Sequence, residues 1–272
     1  MSLRPARQLL VIGLSVLTGI AAACSPRRET PVRDDHRPAS APSDATVSTN
    51  PQTQPAEASS ETHRTTSDAD ANVVEFRPGI RIDYRVPQVE LSCEVILRTG
   101  ELELFAYAKS PTPKEHETIL LMHILPEHVY HALGLIGLTP GNPIMYDWET
   151  EKITEASGDP VDVLVRYERD GASVEEPATQ WMLDLARQAT MRPTHWIFTG
   201  SRKDERGRFA ANVEGTVVTV VNFDTALLSL PESHSDSDDS LWLAARTEAI
   251  PPVGTSVTLI LRPADAGRLQ RR

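Results

Sequence analysis

Between residues 114 and 138 the chain gathers ionisable groups into an otherwise apolar stretch. Lys114, Glu115, His116 and Glu117 stand together, and His123, Glu127, His128 and His131 follow. Imidazole titrates near neutral pH, so such a set has the chemistry of proton transfer beside a carboxylate, or of ligation of a divalent metal by neutral nitrogen. Metal binding asks more of the spacing, because three or four donors must converge at about 2 Å from the ion. The zincin signature needs a second histidine four places after the first, and the position four beyond His116 is Leu120. An EF-hand counted from Asp236 meets Leu241 and Thr247 where glycine and glutamate are required. Gly200-Ser201 lacks the flanking glycine pattern of a nucleophile elbow, and there is no glycine-rich phosphate loop. No metal, no cofactor and no catalytic residue is assigned on these grounds.

The elements that position these groups follow from periodicity. Residues 118–123 alternate as a strand, placing His116, Thr118, Leu120 and Met122 on one face and Glu117, Ile119, Leu121 and His123 on the other. His116 and His123 are therefore not joint ligands. Residues 126–138 have helical spacing: Pro126 suits the first turn, Glu127 lies near the positive end of the dipole, and Val129, Ala132, Leu133 and Ile136 form the apolar stripe. His128 and His131 are neighbours on a second face that continues to Leu135. Taken alone, this is a solvent-facing histidine pair and a polar turn.

Elsewhere, strands are expected at 81–98 and 101–108 around Thr99-Gly100, and at 161–169 and 172–175 around the hairpin signal Asp170-Gly171. Further strands are expected at 195–199, 208–213, 216–221, 241–246 and 256–262, with helices at 180–187 and 224–230. The expected class is α+β: a predominantly antiparallel β-sheet with two or three short helices in one domain over residues 73–263, preceded by a disordered tether. Strand, turn, strand and helix follow one another both from Phe105 to Leu138 and from Phe209 to Leu230, an order that suggests an internal ββα duplication.

Residues 1–24 have the proportions of a secretory leader, with Arg4 and Arg7 before an apolar run that starts near Leu9. The closing Ile20-Ala21-Ala22-Ala23-Cys24 resembles the bacterial lipobox, with Ala21 where leucine is preferred. Lipidation of Cys24 would hold the protein outside the cytoplasm on a bacterial membrane, its first partner being the bilayer. The alternative is an ordinary leader cut after an Ala-x-Ala triplet, leaving a secreted protein. Residues 25–72 contain no aromatic residue and little that is apolar beyond alanine, the composition of a disordered linker, and 264–272 read as a disordered polar tail. With Cys24 lipidated only Cys93 remains, on the apolar face of Val89, Leu91, Val95 and Leu97, which excludes a disulfide, a thiolate zinc site and an iron–sulfur centre. A net charge of -11 without a basic stripe excludes nucleic acid as a partner.

Five phrases occur in one order: Lys114-Glu115-His116-Glu117, His131-Ala132-Leu133, Trp196 to Ser201, Val221-Asn222-Phe223 and Thr247 to Thr255. Together they resemble the YdjY-domain family of bacterial proteins, over roughly residues 90 to 263. Some relatives in that family are named as ferredoxin-type proteins with cysteine-ligated clusters, and this chain lacks those cysteines. The resemblance brings no reaction with it. Because Lys114, His116, Glu117 and His131 all lie within the shared phrases, it implies that they line one polar groove where His116 or Glu117 exchanges protons. The expectation is a membrane-anchored, noncatalytic binding domain for an unidentified protein or small molecule. The competing class is a hydrolase or metal-assisted enzyme using His116, Glu117 and His131.

Overall fold

Short β-branched and apolar runs, most of them five residues or fewer between turns, cannot sustain long helices, and the chain folds accordingly. The computed structural model describes residues 72–147, 149–150, 152–234 and 241–264. The expected leader with Cys24, nearly all of the linker and nearly all of the tail lie outside the described residues.

In chain order the elements are β1 (Val73–Arg77), β2 (Ile80–Asp83), β3 (Gln88–Val95), β4 (Leu104–Ala108), β5 (Thr118–Met122), α1 (Pro126–Leu135), β6 (Met145–Asp147), β7 (Lys152–Thr154) and β8 (Pro160–Arg169). They continue with β9 (Ala172–Pro177), β10 (Met182–Asp184), β11 (Ala189–Thr190), β12 (Trp196–Phe198), α2 (Ala211–Glu214), β13 (Thr216–Thr219), β14 (Leu228–Ser229), β15 (Leu243–Ala245) and β16 (Ser256–Pro263). Strands β3, β16, β8, β12, β14, β13, β4 and β5 pair in that order, and β5 returns to β3 to close an eight-stranded barrel. Closure leaves these strands without an open edge and turns every second side chain inward. Val89, Leu91 and Val95 of β3, Val161, Val163 and Val165 of β8, and Leu259 and Leu261 of β16 are buried in this way. Trp196 is buried too, its indole N–H donating to the Thr219 carbonyl at 2.9 Å. Outside the ring, β1 and β2 extend the sheet from β3, and β9 pairs with β8.

This architecture corrects the α+β expectation. The described residues are mostly β, 43% strand against 11% helix, with a closed barrel and two α-helices among them. The helix expected at 224–230 is replaced by β14: its apolar run Ala226, Leu227 and Leu228 is buried in the barrel wall, where an uninterrupted apolar segment suits a strand as well as a helix. The helix expected at 180–187 is absent: the span holds the end of a 3-10 turn at Ala178–Trp181, then β10 and a turn. The strand expected at 208–213 is instead a loop with one isolated bridge, Phe209 to Lys203, running into α2 at Ala211. The expected pairing around Thr99-Gly100 is not made, because β4 lies beside β5 and β13, away from β3. The Asp170-Gly171 hairpin does form, with positive φ at both residues (54° and 76°), as a type I′ turn requires.

The ring is built from one four-stranded unit used twice, β3-β4-β5-β8 and β12-β13-β14-β16. In each unit the second and third strands are parallel, β4 with β5 and β13 with β14. In each, the third strand returns antiparallel to the first, β5 to β3 and β14 to β12. The fourth strand of each crosses to the first strand of the other, β8 to β12 and β16 to β3. The two second strands pair with each other, as do the two fourth strands. The duplication is thus one of strands: the second region expected as ββα runs α2, β13, β14.

Candidate functional site

Parallel neighbours cannot be joined by a tight hairpin, so each unit needs a crossover between its second and third strands. These crossovers are residues 109–117 and 220–227, and they carry the Lys-Glu-His-Glu and Val-Asn-Phe phrases. The first is shaped from within: the Tyr107 hydroxyl donates to the Thr112 carbonyl at 2.9 Å, and the Thr118 hydroxyl donates to the Lys114 carbonyl at 2.7 Å. The second is held from outside, since the Asn222 N–H donates to the His234 carbonyl at 2.9 Å and its side-chain amide to the Ser233 hydroxyl at 2.8 Å.

The crossovers meet at Lys114. Its ammonium lies 2.8 Å from Glu103 Oε2 and 3.0 Å from Glu117 Oε1, and it sits 4.7 Å from the centroid of the Phe223 ring. All three charged side chains are largely buried. Burial, together with the neighbouring Glu117, pushes the Glu103 carboxyl above the ordinary glutamate value in spite of Lys114. Burial works against the charge on Lys114, but its two carboxylate partners outweigh that and hold its pKa above the ordinary lysine value. Lysine is thereby kept charged, as a clasp between two carboxylates and an aromatic face.

The structure brings Lys114, His116 and Glu117 together. The exposed His116 ring has Nε2 at 3.4 Å from Glu117 Oε2. His131 has other neighbours: it is exposed on α1, 3.8 Å from Glu127 Oε1, with its ring edge-on to Tyr130. The 3-10 turn bearing His116 leads into β5 and α1 follows β5, so five strand residues, about 16 Å of extended chain, separate the two. Among the described residues, no group of three or more His, Cys, Asp or Glu side chains is placed to hold a metal. Cys93 is buried, and burial pushes its thiol up to about 12.

Sequence reasoning missed Glu103 and Phe223. The only signal for Glu103 was an acid placed between Leu102 and Leu104 at the entrance to a buried strand. It also missed the concavity that Phe223 lines. The β6–β7 hairpin stands beside the second crossover and exposes Met145 by 47%, Tyr146 by 44% and Ile153 by 59%. Between hairpin and crossover lie two adjoining hollows of about 390 and 270 Å³, which share Ile144, Asn222 and Ser233. Met145, Tyr146, Ile153 and Phe223 form the apolar wall of the larger one. A separate groove of about 640 Å³ crosses the outer face of β3, β16 and β8. Its one arginine, Arg166, is engaged by Glu90 at 3.0 Å and Glu175 at 3.1 Å.

A closed barrel of two interlocked four-stranded units, with its crossovers joined where Lys114 meets Phe223, defines a β-barrel domain. The chain belongs to the YdjY-domain family, whose profile matches residues 80–262. No curated protein and no solved structure matches it. Two shared phrases outside the crossovers, Trp196 to Ser201 and Thr247 to Thr255, are joints of the fold. Thr199 donates to the Ala226 carbonyl at 2.8 Å, Ser201 Oγ accepts the N–H of Ala211 at the start of α2, and Arg98 binds the carbonyls of Thr247 and Ile250.

Proposed function

We propose that this chain is a noncatalytic binding protein, lipid-anchored through Cys24 on the outer side of a bacterial membrane, with residues 25–72 as a tether and the barrel as the recognition domain. The observation that carries the binding role is the cleft between the β6–β7 hairpin and Phe223, walled by apolar side chains that a monomer leaves open to water. The ionisable residues beside it support the same role. Lys114 is engaged by Glu103, Glu117 and Phe223, an arrangement that positions the Phe223 wall of the cleft. The lipobox-like ending at Cys24 and the composition of the following residues support the address.

Binding is tested with Nile red, a neutral apolar dye, added to the full chain. Its emission should rise with the wild type and fall back in Phe223→Ala and Ile153→Ser; equal emission from all three would overturn the cleft as a binding surface. The address is tested by feeding cells a clickable fatty acid, with label expected on the wild type and absent from Cys24→Ser. An unlabelled wild type would overturn the anchor and leave secretion.

A further inference from the structure

The two hollows beside the β6–β7 hairpin differ in chemistry. The larger is walled by the exposed apolar side chains of Tyr146 and Ile153 together with Phe223. The smaller carries two carboxylates, Glu155 and Glu232, and no lysine or arginine lines either hollow. The hairpin sets their order. Tyr146 and Ile153 are directly paired, so their side chains share one face. Ile144 and Glu155 lie two residues along the chain from them, about 7 Å if the backbone stays extended, and both line the smaller hollow. An apolar surface is thereby followed, within one hairpin, by an acid. Asn222 and Ser233, bonded to each other at 2.8 Å, line both hollows and mark where they join.

The two carboxylates are not neutralised from within. Asp224, in the larger hollow, is paired with Arg202 at 2.8 Å. Glu155 and Glu232 have no ion pair among the described residues. The nearest imidazole along the chain, His234, is stacked on Trp242 with 3.9 Å between ring centroids, and burial lowers its pKa, so it stays neutral beside Glu232 at neutral pH. We infer that the cleft binds a small organic amine, its apolar body against Tyr146, Ile153 and Phe223 and its ammonium at Glu155 and Glu232, an inference that rests on the cleft being the binding surface. The apolar wall supplies affinity through the surface it removes from water. The carboxylates supply selection, since an anion of the same shape meets like charge on a chain that already carries -11.

The test uses the full chain and three ligands with one phenylalkyl body, phenylbutylamine, phenylbutanol and phenylbutyrate, each titrated by ligand-observed NMR. The amine should bind about tenfold more tightly than the alcohol, and the acid more weakly than both. Ile153→Ser should weaken amine and alcohol alike. Glu155→Gln with Glu232→Gln should bring the amine down to the alcohol and leave the alcohol as it is in the wild type, which shows that the cleft is still folded. Glu94→Gln with Glu168→Gln removes as much charge from the groove on the outer face and should keep the tenfold preference. Binding of the alcohol or the acid as tightly as the amine would overturn the inference. So would a preference that survives in the cleft pair or disappears in the outer-face pair, and so would amine binding indifferent to Ile153→Ser. If none of the three binds, the amine is overturned as well, and the Nile red result decides separately whether the cleft is a binding surface.

Discussion

The ammonium of Lys114 lies 4.7 Å from the centroid of the Phe223 ring, joining the crossover of one four-stranded unit to that of the other. Because Glu103 and Glu117 flank the same ammonium, removing it strands two largely buried carboxylates beside each other. Lys114→Met should cost about 3 kcal/mol in urea unfolding. Adding Glu103→Gln to it should restore part of that loss, since one of the stranded charges is then gone.

Glu103 also sets a pH dependence. Its carboxyl is held above the ordinary value of 4.5 chiefly by burial, so the folded chain binds this proton more tightly than the unfolded chain does. The stability that it contributes is complete below 4.5 and is lost as pH rises through the folded-state value. Relative to Glu103→Gln, the wild type should therefore lose stability as pH is raised from 4.5 towards neutrality, measured by urea unfolding of both chains at each pH. Carboxylates held low, such as Asp83 by its hydrogen bond from Arg85, act in the opposite sense and cancel in the difference.

His131 is on α1, at the far end of β5 from Lys114. His131→Ala should leave the Nile red signal as it is in the wild type, while Phe223→Ala lowers it. A fall in the His131 variant equal to that of Phe223→Ala would show that α1 shares the cleft.

Cys93 is buried on β3 and its thiol is pushed up to about 12 by that burial. Thiolate is the reactive form, so a Cys24→Ser chain should react with Ellman's reagent only as fast as it unfolds. Addition of urea should release one thiol per chain; rapid reaction of the folded chain would mean that β3 opens locally.

Gly215 caps α2 with φ at +75°, and a Cβ there would stand 2.3 Å from both the Ala108 carbonyl oxygen and a Tyr107 ring carbon. Gly215→Ala should lower stability by at least about 3 kcal/mol, from the left-handed backbone together with the clash. Because the Tyr107 hydroxyl organises the first crossover, the same variant should also weaken dye binding, which separates it from a purely local strain.

The histidine-rich stretch shows how far local pattern reaches. The strand at β5 and the helix at α1 were legible because alternation gave way to helical spacing at Pro126, which is well placed in a first turn. The β8–β9 hairpin was legible from Asp170-Gly171 alone. The run Ala226-Leu227-Leu228 was not, because a short apolar segment buried on all sides has no period to distinguish strand from helix. Lys114, His116 and Glu117 were singled out from their types and their place in a shared phrase. Glu103 was passed over because its partner stands eleven residues away across a crossover, and Phe223 because an aromatic ring in a loop carries no sign of the cation that will sit on it.

Residue order by itself determined the family, the core face of β3, the β8–β9 hairpin, and which ionisable groups were worth watching. These depend on neighbours within a few positions, where side-chain period and composition act directly. Only the tertiary structure decided that the strands close into a barrel of two interlocked units, and that closure carries two phrases more than a hundred residues apart into one contact. Strand pairing is chosen by contacts between distant segments competing for the same edge, so neither the ring nor the cleft exists until every strand has found its neighbour.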